Sequence, residues 1–184
     1  MKISQIIDKI NDQQLFVPAF QREYVWKRID AKNLIESLIK DYPTGTMLTW
    51  DTNNPPELKG DYVYETNKGT VKLILDGQQR ITTLYMLMTG EIPPYYSPKD
   101  ISTDIRGLYV NVETLVLEYF KKIIMEHDPL WINITEIIKN KIRFLDVINL
   151  LASKNEGEHI SREREYKIGD NIEAIKKIPD RDFL

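Results

Sequence analysis

Apolar residues recur along the first hundred positions in two alternating rhythms. Ile3, Ile6, Ile7 and Ile10 repeat at helical spacing, which predicts a short amphipathic helix at the N-terminus. Leu15-Phe16-Val17 is a brief extended piece ended by Pro18. Leu34, Ile35, Leu38 and Ile39 form one face of a second helix, with Asp30 as its expected cap and Pro43 and Gly45 as its stop. Met47 to Trp50 reads as a short strand. Tyr62-Val63-Tyr64 and Val71 to Leu75 flank Asn67-Lys68-Gly69 and read as a hairpin. The helical rhythm returns at Ile81, Leu84, Tyr85 and Met88, with Gly90 placed as its C-terminal stop.

Further on, Leu108 to Val112 and Trp131 to Ile134 read as strands, and Leu115 to Phe120 suits either period. Thr135 is the expected cap of a helix carrying Ile138, Ile142, Leu145 and Ile148. From about Asn155 the chain turns polar, which predicts a linker and then a helix with Ile168, Ile172 and Ile175 inward. The order of elements is that of an α/β domain with a small sheet flanked by helices. Residues 1–153 are expected to form this domain, and 154–184 a linker and the start of a helical region.

Composition narrows the chemistry. The 184 residues suffice for a buried core, and a net charge of -3 argues against a general nucleic-acid coat. A local basic face of Arg22, Lys27, Arg28 and Lys32 remains a candidate DNA contact. With no cysteine, thiolate metal sites and cysteine nucleophiles drop out. His127 and His159 have no ligand-like spacing. There is no signal core and no apolar run near the ~20 residues that span a bilayer, so a cytoplasmic location without membrane contact is expected.

The richest stretch is Leu73-Ile74-Leu75-Asp76-Gly77-Gln78-Gln79-Arg80. An apolar strand delivers the chain to a glycine turn, and a helix starts at once. The first N–H groups of a helix lack internal partners and carry partial positive charge. Glycine allows close approach of an anion, and an arginine in the first turn adds a planar fork that matches phosphate. Together they describe a phosphate cradle built on Gly77 and Arg80. Gln78 and Gln79 are candidates for ribose, base or an attacking water, and Thr82 and Thr83 for hydroxyl contacts. Asp76 is a candidate for Mg²⁺ or for orienting Arg80. Asp-Gly is also a common turn pair, and Gln-Gln-Arg an ordinary exposed first turn.

Two other loops carry candidates. Phe20-Gln21-Arg22-Glu23-Tyr24-Val25-Trp26 mixes rings with charges, with Gln21 and Arg22 reaching the same ligand and Arg22 acting as a second phosphate clamp. Its rings also suit core plugs, and Arg22-Glu23 a local ion pair. Thr44 and Gly45 in Tyr42-Pro43-Thr44-Gly45-Thr46 have backbone amides suited to a nucleotide, and equally suit plain punctuation between helix and strand.

These segments resemble the N-terminal domain of GmrSD-type modification-dependent restriction enzymes. The likeness rests on Val17-Pro18-Ala19-Phe20-Gln21-Arg22-Glu23-Tyr24-Val25-Trp26, Tyr42-Pro43-Thr44-Gly45 and Leu75-Asp76-Gly77-Gln78-Gln79-Arg80-Ile81-Thr82-Thr83-Leu84. It is firm over residues 1 to about 90. It implies a ParB/sulfiredoxin-like fold, in which Gly77 and Arg80 match a glycine-and-arginine turn that holds nucleotide phosphates. It further implies binding and Mg²⁺-dependent hydrolysis of a nucleoside triphosphate in defence against foreign or modified DNA; for that chemistry Asp76, Gln79 and Arg80 are the residues expected here to be catalytic. In that family a separate His-Asn-His nuclease domain cuts DNA, and no such motif occurs in these residues.

Overall fold

A computed structural model describes residues 1–62, 64, 69–154 and 160–183. Helix α1 (Ile3–Asn11) buries the four expected isoleucines. Strand β1 (Leu15–Phe16) runs parallel to β3 (Val71–Asp76), and β2 (Leu48–Thr52) runs antiparallel to it, giving the mixed order β1-β3-β2. A central strand with both neighbours in place is apolar on both faces. Accordingly Val71 and Leu73 pack with Phe16 and Leu58 on one side, while Ile74 enters the main core on the other. The expected hairpin partner of β3 falls partly on residues outside those described. β3 ends at exposed Asp76, and its direction sets where the following turn opens.

Gly77 takes the left-handed conformation at φ 93°, and α3 (Gln78–Thr89) follows immediately. A helix buried on nearly all sides is the centre of a fold rather than its surface. Such is α3: of its first eleven residues only Arg80 is not buried. Its polar side chains are met by tyrosines, as buried hydroxyls and amides require. Tyr24 and Thr83 share a hydrogen bond of 2.8 Å, Tyr95 and Thr82 one of 3.0 Å, and Gln78 Nε2 donates to the Tyr96 hydroxyl. Gly90, at φ 73°, closes the helix as expected.

Helix α2 (Arg28–Ile39) starts earlier than its expected cap. Asp30 sits one turn inside and accepts from the Lys27 N–H at 2.8 Å, the reciprocal half of a capping arrangement. Asp41, left-handed at φ 60°, ends the turn before Pro43 is reached. A second, antiparallel sheet has the order β5-β4-β6, from β4 (Leu108–Asn111), β5 (Leu117–Tyr119) and β6 (Trp131–Asn133). The ambiguous stretch near Leu117 is therefore strand.

Past the one-turn helix α4 (Lys122–Met125), the helix expected from Thr135 through Ile148 is two. Asn133, not Thr135, caps α5 (Ile134–Ile138) by accepting from the Thr135 N–H at 2.9 Å. Asn140 then goes left-handed at φ 54° and breaks the helix before α6 (Phe144–Lys154). Helix α7 (Arg162–Lys176) turns Ile168, Ile172 and Ile175 into the buried cluster that also holds Ile3, Leu84 and Ile134. The chain then runs back beside its start, with Ile3 N–H on Arg181 O at 3.0 Å and Phe183 N–H on Met1 O at 2.9 Å. No helix among the described residues is long and apolar enough to cross a membrane.

The buried tyrosines make an alkaline prediction. Burial pushes the Tyr24 hydroxyl up to about 12, above its ordinary value near 10, and raises Tyr95, Tyr96 and Tyr119 as well. Above pH ~10 the unfolded chain releases protons that the folded chain keeps, so stability falls as pH rises. The urea midpoint is expected to drop between pH 9 and pH 11, and less so in Tyr24→Phe. A midpoint that stays level would contradict this burial.

Candidate phosphate-binding cleft

The strand β3, the Gly77 turn and the start of α3 form the floor of a small cleft. Its walls are Gln21, Arg22 and Trp26 from the loop before α2, and Asp76 to Arg80 from the turn itself. Its volume is about 150 Å³. Larger concavities lie elsewhere, about 250 Å³ beside Phe16 and Tyr62 and about 460 Å³ beside Lys9 and Asp51. Neither of these two is lined by an arginine or by the start of a helix; two others, about 380 Å³ beside Arg28 and Tyr119 and about 660 Å³ beside Arg162 and Tyr166, are, but of these five the smaller cleft alone joins two arginines to a glycine turn.

The floor has the parts from which an anion site is built. Gly77 offers no side chain to cap α3, so the first amides of the helix face outward without an internal partner. Arg80 stands over them as a fixed fork. Its Nη1 donates to Thr44 O at 2.6 Å, and its Nη2 to Thr46 O at 2.6 Å and to Asp76 Oδ2 at 3.3 Å. The ring of Phe183 lies 5.3 Å from the guanidinium carbon. Gly45 sits between the two acceptor carbonyls at φ 91°, and a side chain there would overlap the guanidinium. Thus Thr44 and Gly45 meet Arg80 directly. The Tyr42 to Thr46 loop, readable as punctuation, is the clamp that orients this arginine.

The second loop is tied to the same turn from the other side. Gln21 Nε2 donates to Leu75 O at 2.9 Å. Gln79, buried, accepts from the Val25 N–H at 3.0 Å and donates to Glu23 O at 3.0 Å. The Tyr96 hydroxyl, which receives Gln78, donates on to Arg22 O at 3.3 Å. The alternative reading, an Arg22–Glu23 ion pair, does not hold, because Glu23 instead meets buried Lys59 at 2.6 Å. The Arg22 side chain is therefore exposed on the cleft wall, with no hydrogen-bond or ion-pair partner among the described residues.

The sequence candidates separate into three groups, of which Thr44 and Gly45, against Arg80 but outside the cleft lining, are one. Gln21, Arg22, Asp76, Gly77, Gln78, Gln79 and Arg80 line the cleft. Thr82 and Thr83 are wholly buried behind it, facing Tyr95 and Tyr24 rather than any ligand. Gln78 and Gln79 reach the cleft wall, but their amides are engaged by protein partners. Of the three loop aromatics, Tyr24 is the core plug that the sequence allowed. Phe20 is not, being 67% exposed, and Trp26 is half-buried with its ring on the core and the cleft. The roles of Tyr95 and Tyr96 escaped the sequence reading, since Pro93-Pro94-Tyr95-Tyr96 reads as loop and nothing in it points back to α3.

Among the described residues no group of three or more His, Cys, Asp or Glu side chains could hold a metal ion by itself. Asp76 is the one carboxylate on the cleft wall among these residues, with its side chain 70% exposed. That donor set fits Mg²⁺, which is commonly held by one or two carboxylates while phosphates and water fill the rest. His127 is exposed and remote from the cleft lining, and His159 lies outside the described residues. In the basic face considered for DNA, Arg28 donates to Asp104 O at 3.4 Å and stacks on Tyr119 at 4.7 Å.

Comparison with known proteins follows the same residues. The chain is 36% identical over 89 residues to an uncharacterized protein of Methanocaldococcus jannaschii; the match covers 44% of this chain and 15% of that protein. A family model described as the N-terminal domain of the GmrSD restriction endonuclease matches residues 3–182, which take in both loops, the Gly77 turn and the returning C-terminal segment. The chain belongs to that family of restriction endonuclease N-terminal domains.

Proposed function

We propose that this domain binds a nucleoside triphosphate with its phosphates on the Gly77–Arg80 turn and hydrolyses it, within a cytoplasmic restriction or phage-defence system. The observation that carries the reading is the pairing of two arginines over an uncapped helix start. Arg80 is held by two backbone carbonyls, and the exposed side chain of Arg22 lines the same cleft with no partner among the described residues. Such an arrangement neutralises phosphoryl oxygens by positioning and charge, the main contribution a protein makes to phosphoryl transfer. We take the β3–Gly77–α3 unit as the equivalent of the phosphate turn of ParB/sulfiredoxin-like domains. DNA is the partner we propose for the whole restriction system, with cutting by a nuclease domain other than this one.

Asp76 is the exposed acceptor of the cleft and would hold Mg²⁺, whose charge would offset that of the phosphates. In this proposal it also orients a water for attack on the terminal phosphorus; the bridging oxygen leaves with the nucleoside diphosphate and the water's proton passes to solvent. Gln79 serves instead as the pin that holds the Glu23–Val25 backbone. Asp76→Ala is expected to lower phosphate release more than triphosphate binding, measured on the same folded samples. Equal loss of both would make Asp76 a binding residue only.

One observation favours a second reading, a switch that binds nucleotide without turnover. Both glutamine amides nearest the phosphates already have protein partners, so water placement rests on Asp76 alone. Tight binding with no phosphate release would select it.

A further inference from the structure

We infer that Trp26 is the stacking platform for the nucleobase of the triphosphate, an inference that rests on the proposed phosphate site and adds the part of the ligand that site leaves out. Pockets that enclose a small organic ligand run to roughly 300–1,000 Å³. The cleft over the Gly77 turn is about 150 Å³, enough for phosphates but not for a whole nucleotide. Ribose and base must lie beyond the phosphates, over the rim.

The rim holds one ring in the right state. Trp26 is the single aromatic side chain among the cleft-lining residues described. It packs against the main core and remains partly exposed, so its ring is held in place while part of it faces the cleft. Phe20 is too exposed to be fixed and Tyr24 too buried to be reached. Trp26 is also anchored through its neighbour, because Val25 N–H is pinned by Gln79 at the start of α3. Ring and phosphate turn are thereby joined through one side chain. Stacking of a base on an aromatic ring tolerates any base, because every base has a π-face.

Tryptophan emission and affinity are read together on the 184-residue chain, titrated with Mg²⁺ and either ATP, GTP, CTP, UTP or inorganic tripolyphosphate. The nucleotides are expected to quench emission and to bind about fivefold or more tighter than tripolyphosphate, the low end of what one stacked base contributes. In Trp26→Leu the nucleotides should weaken to the level of tripolyphosphate, whose own affinity stays unchanged. In Trp26→Phe the affinity should largely survive, while the quench disappears. Trp50→Phe should keep both. Equal binding of nucleotides and tripolyphosphate by the wild type would overturn the stacking site and leave the phosphate turn standing. So would a quench that persists in Trp26→Phe. Binding of neither would remove the phosphate turn and the platform with it. Quenching by a short single-stranded oligonucleotide that tripolyphosphate does not compete away would assign the ring to DNA instead and overturn the inference.

Discussion

Arg80→Ala is expected to lower the stability of the fold by roughly 2–3 kcal/mol and to weaken triphosphate binding more than tenfold. The guanidinium has two separate jobs, and alanine abolishes both. It ties the carbonyls of Thr44 and Thr46 to the start of α3, each at 2.6 Å, and its side chain is 18% exposed, so water replaces these bonds poorly. Without it the left-handed Gly45 loop has no charged anchor, and the Phe183 ring loses its cation. The binding loss follows because the fork also places positive charge beside the uncapped amides of α3. Urea denaturation and calorimetric titration on the same protein measure the two losses. A variant of unchanged stability would mean that the Thr44–Thr46 clamp contributes nothing. Arg80→Lys keeps the charge but cannot bridge two carbonyls in one plane, so it should recover only part of the stability.

Arg22→Ala is expected to show the opposite profile: triphosphate affinity down tenfold or more, stability within about 0.5 kcal/mol of the wild type. Arg22 is exposed and has no partner among the described residues, so its removal leaves no buried group unsatisfied. Its backbone carbonyl, which accepts from Tyr96, survives the substitution. Its charge is useful only to something that enters the cleft. The binding should also weaken with salt more steeply in the wild type than in the variant, because an exposed cation acts through a screened field. Should Arg22→Ala bind as well as the wild type, the free arginine would be a surface charge and the cleft would rest on Arg80 and the helix alone.

Most of the framework was readable from periodicity because the core is aliphatic and regular. The four isoleucines of α1, the strand into Asp76 and the inward isoleucines of α7 each follow one spacing rule, and burial enforces it. The misplacements share a cause: a local cap or a left-handed residue outweighed the rhythm. Asn140 divided a helix whose isoleucines kept time across the break, and Asp41 ended α2 before the proline that signals its end. At the cleft, residue types suggested a chemistry, but not which side chains are already occupied. Gln79 and Arg22 read alike as polar candidates. Only the fold turns the first inward onto a backbone and leaves the second facing the cleft. The tyrosines behind α3 were illegible for the same reason, since Tyr95 and Tyr96 meet Thr82 and Gln78 only once the chain has folded back.

The central claim is that the Gly77–Arg80 turn holds a triphosphate. Its most direct measurement is equilibrium binding of ATP, GTP, CTP and UTP with Mg²⁺ to the wild type and to Arg22→Ala, with phosphate release followed in the same samples. The account predicts saturable binding of at least one nucleotide by the wild type, a tenfold or greater loss in a variant of unchanged stability, and phosphate release that falls with it. Identical affinity in the two proteins would remove Arg22 from the site, and absence of saturable binding by the wild type would contradict the claim itself.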